Sequence, residues 1–335
     1  MRTNGLVVAI DGPSGAGKST AGRALAAQLG YTYIDTGAMY RALALKASRA
    51  GVSLDSEEAL AALCRASSIQ LTEGGRRVLL DTYDVTADIR SREISLASSL
   101  VSVHPGVRTE MVARQREMGK AGGVVLDGRD IGTAVFPDAE VKFFLDANPG
   151  ERAQRRLGEL RAAGNEDVNF DTVEREVRER DYTDSHRAES PLTRAWDAIA
   201  LDTTKLGPDE VVERMLATVR ARLGRPVDLG QLAARHRRSP RPYLEALRTG
   251  GMSAGLYRVA RGSEGEQRPH GEEETYLVLE GRGRFRMGDE DFAVEPGHLY
   301  TVPARVEHRF HSITEDLLLL VFFVPPEGTG TRAAE

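Results

Sequence analysis

Residues Gly12–Thr20 read GPSGAGKST: a glycine, four residues, then Gly-Lys-Ser, directly after the apolar run Leu6–Ile10 and at the head of a helical pattern. This P-loop spacing constrains the fold more than any other feature, because a buried strand must end where a helix begins, with the loop curled between them. The glycines let the backbone turn its N–H groups toward phosphate oxygens, and the helix N-terminus adds a dipole that favours anions. On this pattern Gly12, Pro13, Ser14, Gly15, Ala16, Gly17, Lys18, Ser19 and Thr20 form a nucleotide-phosphate loop. Lys18 is placed to bridge the β and γ phosphates, and Ser19 to lie near Mg²⁺. A glycine-rich turn without a ligand is the plain alternative, and a P-loop alone does not choose among kinases, GTPases and ATPases.

The pattern continues as an α/β protein. Predicted strands Leu6–Ile10, Tyr31–Ile34, Val124–Leu126, Val141–Leu145 and Ile199–Leu201 alternate with predicted helices. These are Lys18–Leu29, Ala38–Ala50, a stretch after Gly150, one around Val173–Arg180, and Pro208–Leu223. Such alternation implies a mostly parallel sheet. Between about 52 and 90 the rhythm breaks, and IQLTEGGRRVLLD reads as a hairpin turning at Gly74–Gly75, an insertion into the core.

A chain of 335 residues exceeds what one hydrophobic core usually serves, so two domains are expected, 1–224 and 225–335. GRPVDLG and RHRRSPRP, after Leu223, read as a junction rich in Pro, Gly and Arg. From about Ala254 come short alternating runs: GLYRVA, ETYLVLEG, GRFRMG, DFAVEPG, HLYTVPA, HRFHSI and LLLLVFFV. Strands at that spacing with no helix between them predict a small all-β sandwich or barrel, followed by a disordered tail, EGTGTRAAE. A net charge of −5 argues against broad nucleic-acid binding, although local arginines can hold a small phosphorylated ligand. The single cysteine, Cys64, has no internal partner and sits in an Ala- and Leu-rich stretch as packing. The N-terminus reads as a buried strand instead of a signal peptide, and no run is long enough to span a membrane, so a cytoplasmic location is expected.

Three segments behind the P-loop carry a resemblance. YIDTGAMYRALAL (Tyr33–Leu45), LDGRDIGTAVFPDAEVKFFLDA (Leu126–Ala147) and RERDYTDSHRAESPL (Arg178–Leu192) together resemble bacterial cytidylate kinase, over residues 5 to 222. The resemblance implies a nucleoside monophosphate kinase-like fold with an extended monophosphate-binding region, and transfer of a phosphoryl group from ATP, with Mg²⁺, to CMP or dCMP. By resemblance, Thr36, Tyr40, Arg41, Arg129 and Arg187 fall where the family binds the acceptor phosphate. Ser99, Arg108 and Asp130 fall where it reads cytosine, and Arg180 and Asp184 where it holds the ribose. Lys18, Arg129, Arg180 and Arg187 are the implied catalytic cations. Two departures stand out: the P-loop ends Lys-Ser-Thr where relatives commonly have Lys-Gly-Thr, and Thr183 and Ser185 stand where relatives can carry arginines.

Chemistry agrees with that set. A phosphate monoester's second pKa is near 6, so at pH 7 the nucleophile is already mostly an oxyanion and needs no general base. The difficulty is bringing two anions together, which asks for arginines whose planar forks pair with phosphate. Cytosine's exocyclic amine suits a carboxylate such as Asp130, which uracil would leave unpaired. ERAQRR and VEREVRER also read as solvated helix faces with Glu–Arg pairs, with Arg152, Arg155 and Arg156 as alternative lid residues. Trp196 is expected as lid or core packing. A kinase for another small acceptor would explain the P-loop but not the matched acceptor segments.

The C-terminal part carries a second resemblance. RPHGEEETYLVLEGRGRFRMG (Arg268–Gly288) and EPGHLYTVPARVEHRF (Glu295–Phe310) resemble the two motifs of the cupin family of small β-barrels. His270, Glu274 and His308 match three of the family's four metal positions, and Arg268 takes the place of the remaining histidine. A three-ligand set can hold a divalent transition metal with open positions. The competing reading is a polar barrel lining without metal. His298 and His311 read as surface or strand residues. The barrel is expected to act as a ligand sensor, a structural module or a means of self-association.

Overall fold

The computed structural model describes residues 2–162, 164, 167–224, 226–265, 267 and 269–328. It divides into two compact units, 1–212 and 213–335, each described below by itself.

The first unit runs β1 (Val7–Asp11), α1 (Lys18–Leu29), β2 (Thr32–Asp35), α2 (Thr36–Arg49), α3 (Glu57–Arg65), β3 (Ile69–Thr72), β4 (Arg77–Leu80), β5 (Tyr83–Asp84), α4 (Arg92–Val101) and α5 (Pro105–Gly119). It continues β6 (Val124–Asp127), β7 (Val141–Asp146), α6 (Pro149–Ala162), α7 (Phe170–His186), β8 (Ile199–Asp202) and α8 (Pro208–Arg222), and the unit boundary falls within α8. Five of these strands form a parallel sheet ordered β2-β6-β1-β7-β8, as the alternation predicted. β1 is VVAID, buried along its whole length, because a central parallel strand is covered on both faces. The expected hairpin is present as β3 and β4, which β5 extends, and Cys64 is buried in the apolar cluster around α2, α3 and α5.

The chain order fixes where chemistry can happen. From β1 the chain passes over β6 to reach β2, so a crevice opens at the carboxyl ends of these strands. The register places Asp35 and Ile10 beside Asp127, and Asp11 one residue beyond, so three carboxylates crowd that edge.

The second unit differs from expectation in its opening. The stretch expected as a junction contains α9 (Leu229–His236), capped by Asp228, and β9 (Tyr243–Arg248). Leu232 and Ala233 give α9 a buried face that packs with Leu244, Leu256 and Leu318, so the segment is folded despite its Pro and Arg content. β10 (Ser253–Val259), β11 (Glu273–Met287), β12 (Glu290–Val294), β13 (Leu299–Val302) and β14 (His308–Val324) follow. The sheet is antiparallel in the order β12-β11-β14-β10-β9, with β13 added to β11. Two pairs of expected strands are each one long strand. Register shifts between Val278 and Arg284 bend β11 against β14, which lets one strand serve both parts of the fold. Gly281 sits in that bend at φ +91°, where an added Cβ would meet the Asp316 carbonyl. The expected tail lies beyond the described residues from position 329 onward.

Candidate functional site

The P-loop takes the strand–loop–helix path its spacing required. Gly12 has φ +144°, and a Cβ there would lie 1.9 Å from the Leu145 carbonyl oxygen, so only glycine lets the loop leave β1 against β7. Lys18 is buried, and its Nζ donates to the Pro13 carbonyl at 2.6 Å. Burial pushes its pKa well down, Arg129 adds to that, and Asp127 opposes it. Ser19 Oγ donates to Asp127 Oδ2 at 2.7 Å, and the Tyr33 hydroxyl donates to Oδ1 at 2.8 Å. Burial and then Asp35 raise the Asp127 pKa. The sequence reasoning did not single out Asp127. Its signal was present as a carboxylate ending the apolar strand VVLD, opposite the P-loop serine.

After β6 the chain presents Arg129 and Asp130 and then closes a π-helical turn, Ile131–Val135. Such turns recur at functional sites. This one is held at both ends. Asp11 accepts from the Ile131 and Gly132 N–H groups at 2.8 and 2.7 Å, and Arg116 donates to the Val135 and Ala134 carbonyls at 2.9 and 2.7 Å. Burial pushes the Asp11 carboxyl up to about 6, despite the two N–H groups it accepts from.

Two buried carboxylates organise the arginines. Asp130 pairs with Arg108 and lies 3.5 Å from Arg187, whose guanidinium also donates to the Ser190 carbonyl. Asp184 takes Arg129 at 2.7 Å, with Arg180 at 4.0 Å. Burial opposes the Asp184 carboxylate, but Arg129 and Arg180 hold its pKa down. Arg180 is pushed down to about 10 by burial and then by Arg129, with Arg41 and Arg156 adding, so these cations share one field. Arg41 pairs with Asp35 at 3.0 Å, Thr36 donates to the Asp127 carbonyl at 2.7 Å, and burial pushes the Tyr40 phenol up to about 12. The Ser99 hydroxyl is buried with no partner among the described residues. The ten residues expected at an acceptor site come from α2, α4, α5, the turn after β6, and α7 with its end, and the two carboxylates gather Arg108, Arg187, Arg129 and Arg180.

Other expectations are corrected. Arg152 does not lie on a solvated face: it is buried, donating to the Ser14 carbonyl at 3.1 Å and pairing with Asp181 at 2.6 Å. Arg155 donates to the Thr203 carbonyl at 2.7 Å, and Thr203 in turn donates to the Ala16 carbonyl at 3.1 Å, so both arginines brace the P-loop from behind. Trp196 packs in neither lid nor core, being 95% exposed in the irregular stretch between α7 and β8. Thr183 and Ser185 turn their hydroxyls back onto helix carbonyls.

The family model for cytidylate kinase matches residues 8–221. The chain belongs to the cytidylate kinase family. A cytidylate kinase of Syntrophotalea carbinolica is 54% identical over 219 residues, which is 65% of this chain and 93% of that protein. Cytidylate kinases of a Geobacter species (strain M21) and a Geobacillus species (strain WCH70) are 50% and 51% identical, over 96% and 100% of their lengths. The cytidylate kinase match ends before α9. A cupin model matches residues 255–324, as the second resemblance implied. No helix among the described residues is long and apolar enough to cross a membrane.

Within the cupin unit, His270, Glu274 and His308 bring one ligand atom each within 4.8 Å of one another. His270 Nε2 lies 2.8 Å from Glu274 Oε1, and His308 Nε2 lies 2.9 Å from Oε2. Tyr276, which sequence reasoning passed over, hydrogen-bonds Glu274 and stands 3.2 Å from His308 Nε2. Its signal was its place two residues beyond Glu274, on the same face of β11. Burial opposes the Glu274 carboxylate, yet His270, His308 and Tyr276 hold it down at about 2, and Glu274 in turn raises His270. Arg268 lies outside the described residues. His298 is exposed, and His311 pairs with Asp291 at 3.0 Å on the surface of β14.

Proposed function

We propose that residues 1–224 transfer the γ-phosphoryl group of ATP to CMP or dCMP, giving CDP or dCDP and ADP. The carrying observation is the pair of buried carboxylates, Asp130 between Arg108 and Arg187, and Asp184 between Arg129 and Arg180. Four arginines are thereby aimed by acids that are not themselves needed as bases. The acceptor's phosphate oxygen bonds to the γ-phosphorus as the bridging oxygen leaves with ADP. Arg41, Arg129 and Arg187, with Thr36 and Tyr40, hold the acceptor phosphate. Lys18 and Arg180 offset the charge that spreads over the transferring oxygens. Asp130, Ser99 and Arg108 read the cytosine edge, and Asp184 with Arg180 holds the ribose. Mg²⁺ arriving with ATP requires hard oxygen donors, and the Ser19 hydroxyl beside the Asp127 carboxylate supplies them. When bound, the ion neutralises phosphate charge.

In residues 225–335, His270, Glu274 and His308 serve in this reading as ligands of a divalent transition metal in a sensing module. The spacing of their donor atoms supports it. The test is an assay with ATP and Mg²⁺ against CMP, dCMP, UMP, AMP and shikimate, with Lys18→Ala as control. Selective turnover of CMP or dCMP, reduced about 10²–10³-fold in kcat by Lys18→Ala, is expected for loss of one transition-state donor. Failure to turn over either cytidine nucleotide would remove the roles given to Arg41, Arg129 and Asp130. Elemental analysis of the full chain against His308→Ala tests the metal separately.

A further inference from the structure

This inference rests on the kinase reading and deepens it. The π-helical turn Ile131–Val135 follows directly on Arg129 and Asp130, so whatever fixes the turn fixes the direction in which those two side chains leave the backbone. A helical turn begins with N–H groups and ends with carbonyls that have no partner within it. The Asp130 carbonyl accepts from the Ala134 and Val135 N–H groups at 2.8 and 3.1 Å, which closes the turn but satisfies neither end. One side chain takes each end. The two carboxylate oxygens of Asp11 accept from the Ile131 and Gly132 N–H groups, and the Arg116 guanidinium donates to the Ala134 and Val135 carbonyls.

The places of these two residues in the fold bear on the reaction. Asp11 ends β1 and the P-loop starts at its neighbour Gly12, so the backbone that leads into the phosphate loop also carries the anchor of the acceptor turn. Asp11 is buried, and a Cβ added at Gly132 would lie 3.3 Å from its Oδ2 and 3.1 Å from Lys142 Cδ on β7. The turn therefore sits against β1 and β7 with little slack. Arg116 stands on α5, about 12 Å further along the helix than Arg108, which pairs with Asp130. One helix thus holds the far end of the turn through Arg116 and the carboxylate at its head through Arg108. Neither Asp11 nor Arg116 is among the residues proposed to touch a nucleotide.

We propose that Asp11 and Arg116 are positioning residues of the acceptor site: together they clamp the turn that aims Arg129 and Asp130, and Asp11 ties that aim to the start of the P-loop. A turn released at either end moves Arg129 away from the acceptor phosphate and Asp130 away from the cytosine edge. The P-loop keeps its own hold on ATP, because its path is set by Gly12 against β7 and by Lys18 and Ser19. The effect is large for a small movement, since a misplacement of about 1 Å can cost on the order of 10²-fold in rate.

The experiment compares the full chain with Asp11→Asn, Arg116→Ala and Val211→Ala, measuring kcat/KM for CMP and for UMP, and the binding of an unreactive ATP analogue without acceptor. Asparagine keeps the shape of Asp11 but offers one acceptor where two N–H groups converge. Asp11→Asn should lower kcat/KM for CMP about 10²-fold and the CMP-over-UMP ratio about tenfold, with the analogue's Kd near its native value. Arg116→Ala should shift both several-fold in the same direction; its side chain is exposed, so it carries the test if Asp11→Asn does not fold. Val211→Ala removes a buried side chain on α8, which supplies nothing to the proposed site, and should lower Tm with the ratio unchanged. A ratio that falls equally in Val211→Ala, or analogue binding lost in step with CMP, overturns the clamp as a device of the acceptor site. A native chain selective for cytidine nucleotides whose ratio survives in the folded variants removes the clamp alone. A native chain that turns over neither CMP nor dCMP removes the kinase reading and the clamp with it.

Discussion

Asp130 does two jobs that one substitution can separate. Its carboxylate compensates Arg108 and Arg187 in a buried setting, and it is the group proposed to accept from the cytosine amine. Asp130→Asn keeps the shape but leaves two buried cations short of charge. A stability loss of about 3 kcal/mol is expected from breaking such a pair. The CMP-over-UMP ratio of kcat/KM should fall at least tenfold or so, because an amide can turn either a donor or an acceptor to the base. Thermal unfolding and competitive assays check the two halves, and an unchanged ratio removes Asp130 from base reading. Asp11 gives a pH prediction. Its folded pKa of about 6 lies above the unfolded value, so its favourable contribution is full below pH 3.8 and disappears as pH rises through 6. Relative to Asp11→Asn, the native chain should lose about 3 kcal/mol between pH 4 and 7, since each pKa unit is worth about 1.4 kcal/mol. A flat difference across that range sinks the assignment.

At the scale of elements, α4 and α7 both carry residues of the proposed acceptor site, and they touch through chemistry that sequence reading did not anticipate. Arg92 opens α4 and pairs with Glu176 on α7, while Ser95 accepts from both Arg156 and Arg180 at 3.4 Å. A partly exposed pair of this kind contributes about 0.5–1 kcal/mol. Arg92→Glu and Glu176→Arg should each raise the KM for CMP several-fold while leaving the KM for ATP near its native value, and the double exchange should restore it. A double variant no better than the singles would show that the pair does not link the two helices. This contact explains what was legible and what was not. The P-loop and α1 were readable residue by residue because phosphate chemistry imposes a local spacing. The residues proposed to bind the acceptor were readable only through motifs of a known family, since Arg108 and Arg187, far apart in the chain, come together on Asp130 through tertiary contacts and not through any local pattern. Asp11 and Arg116 escaped notice because a π-helical turn has no signature in a single sequence. Arg152 and Trp196 were misjudged for a related reason: charge and size predict average burial, while the neighbours that decide it lie far away in the chain.

The whole molecule has two compact units with separate apolar cores, so unfolding should not be two-state. Calorimetry should resolve two transitions. An unreactive ATP analogue with CMP should raise one of them, by about 2.7 kcal/mol at a hundredfold excess over Kd, and Zn²⁺ should raise the other. A single transition, or one moved by both ligands, would mean that the units unfold together. The order of strands in the first unit has a further consequence, which concerns synthesis. β1 ends at Asp11 and leaves the ribosome well ahead of its partners β6 and β7, which begin at Val124 and Val141. At roughly 5–20 residues per second, that apolar strand waits on the order of ten seconds for its neighbours. The most buried strand of the kinase is thus the one exposed longest while the chain is being made, and the nascent protein is open to chaperone capture well before its phosphate loop has a sheet to stand on.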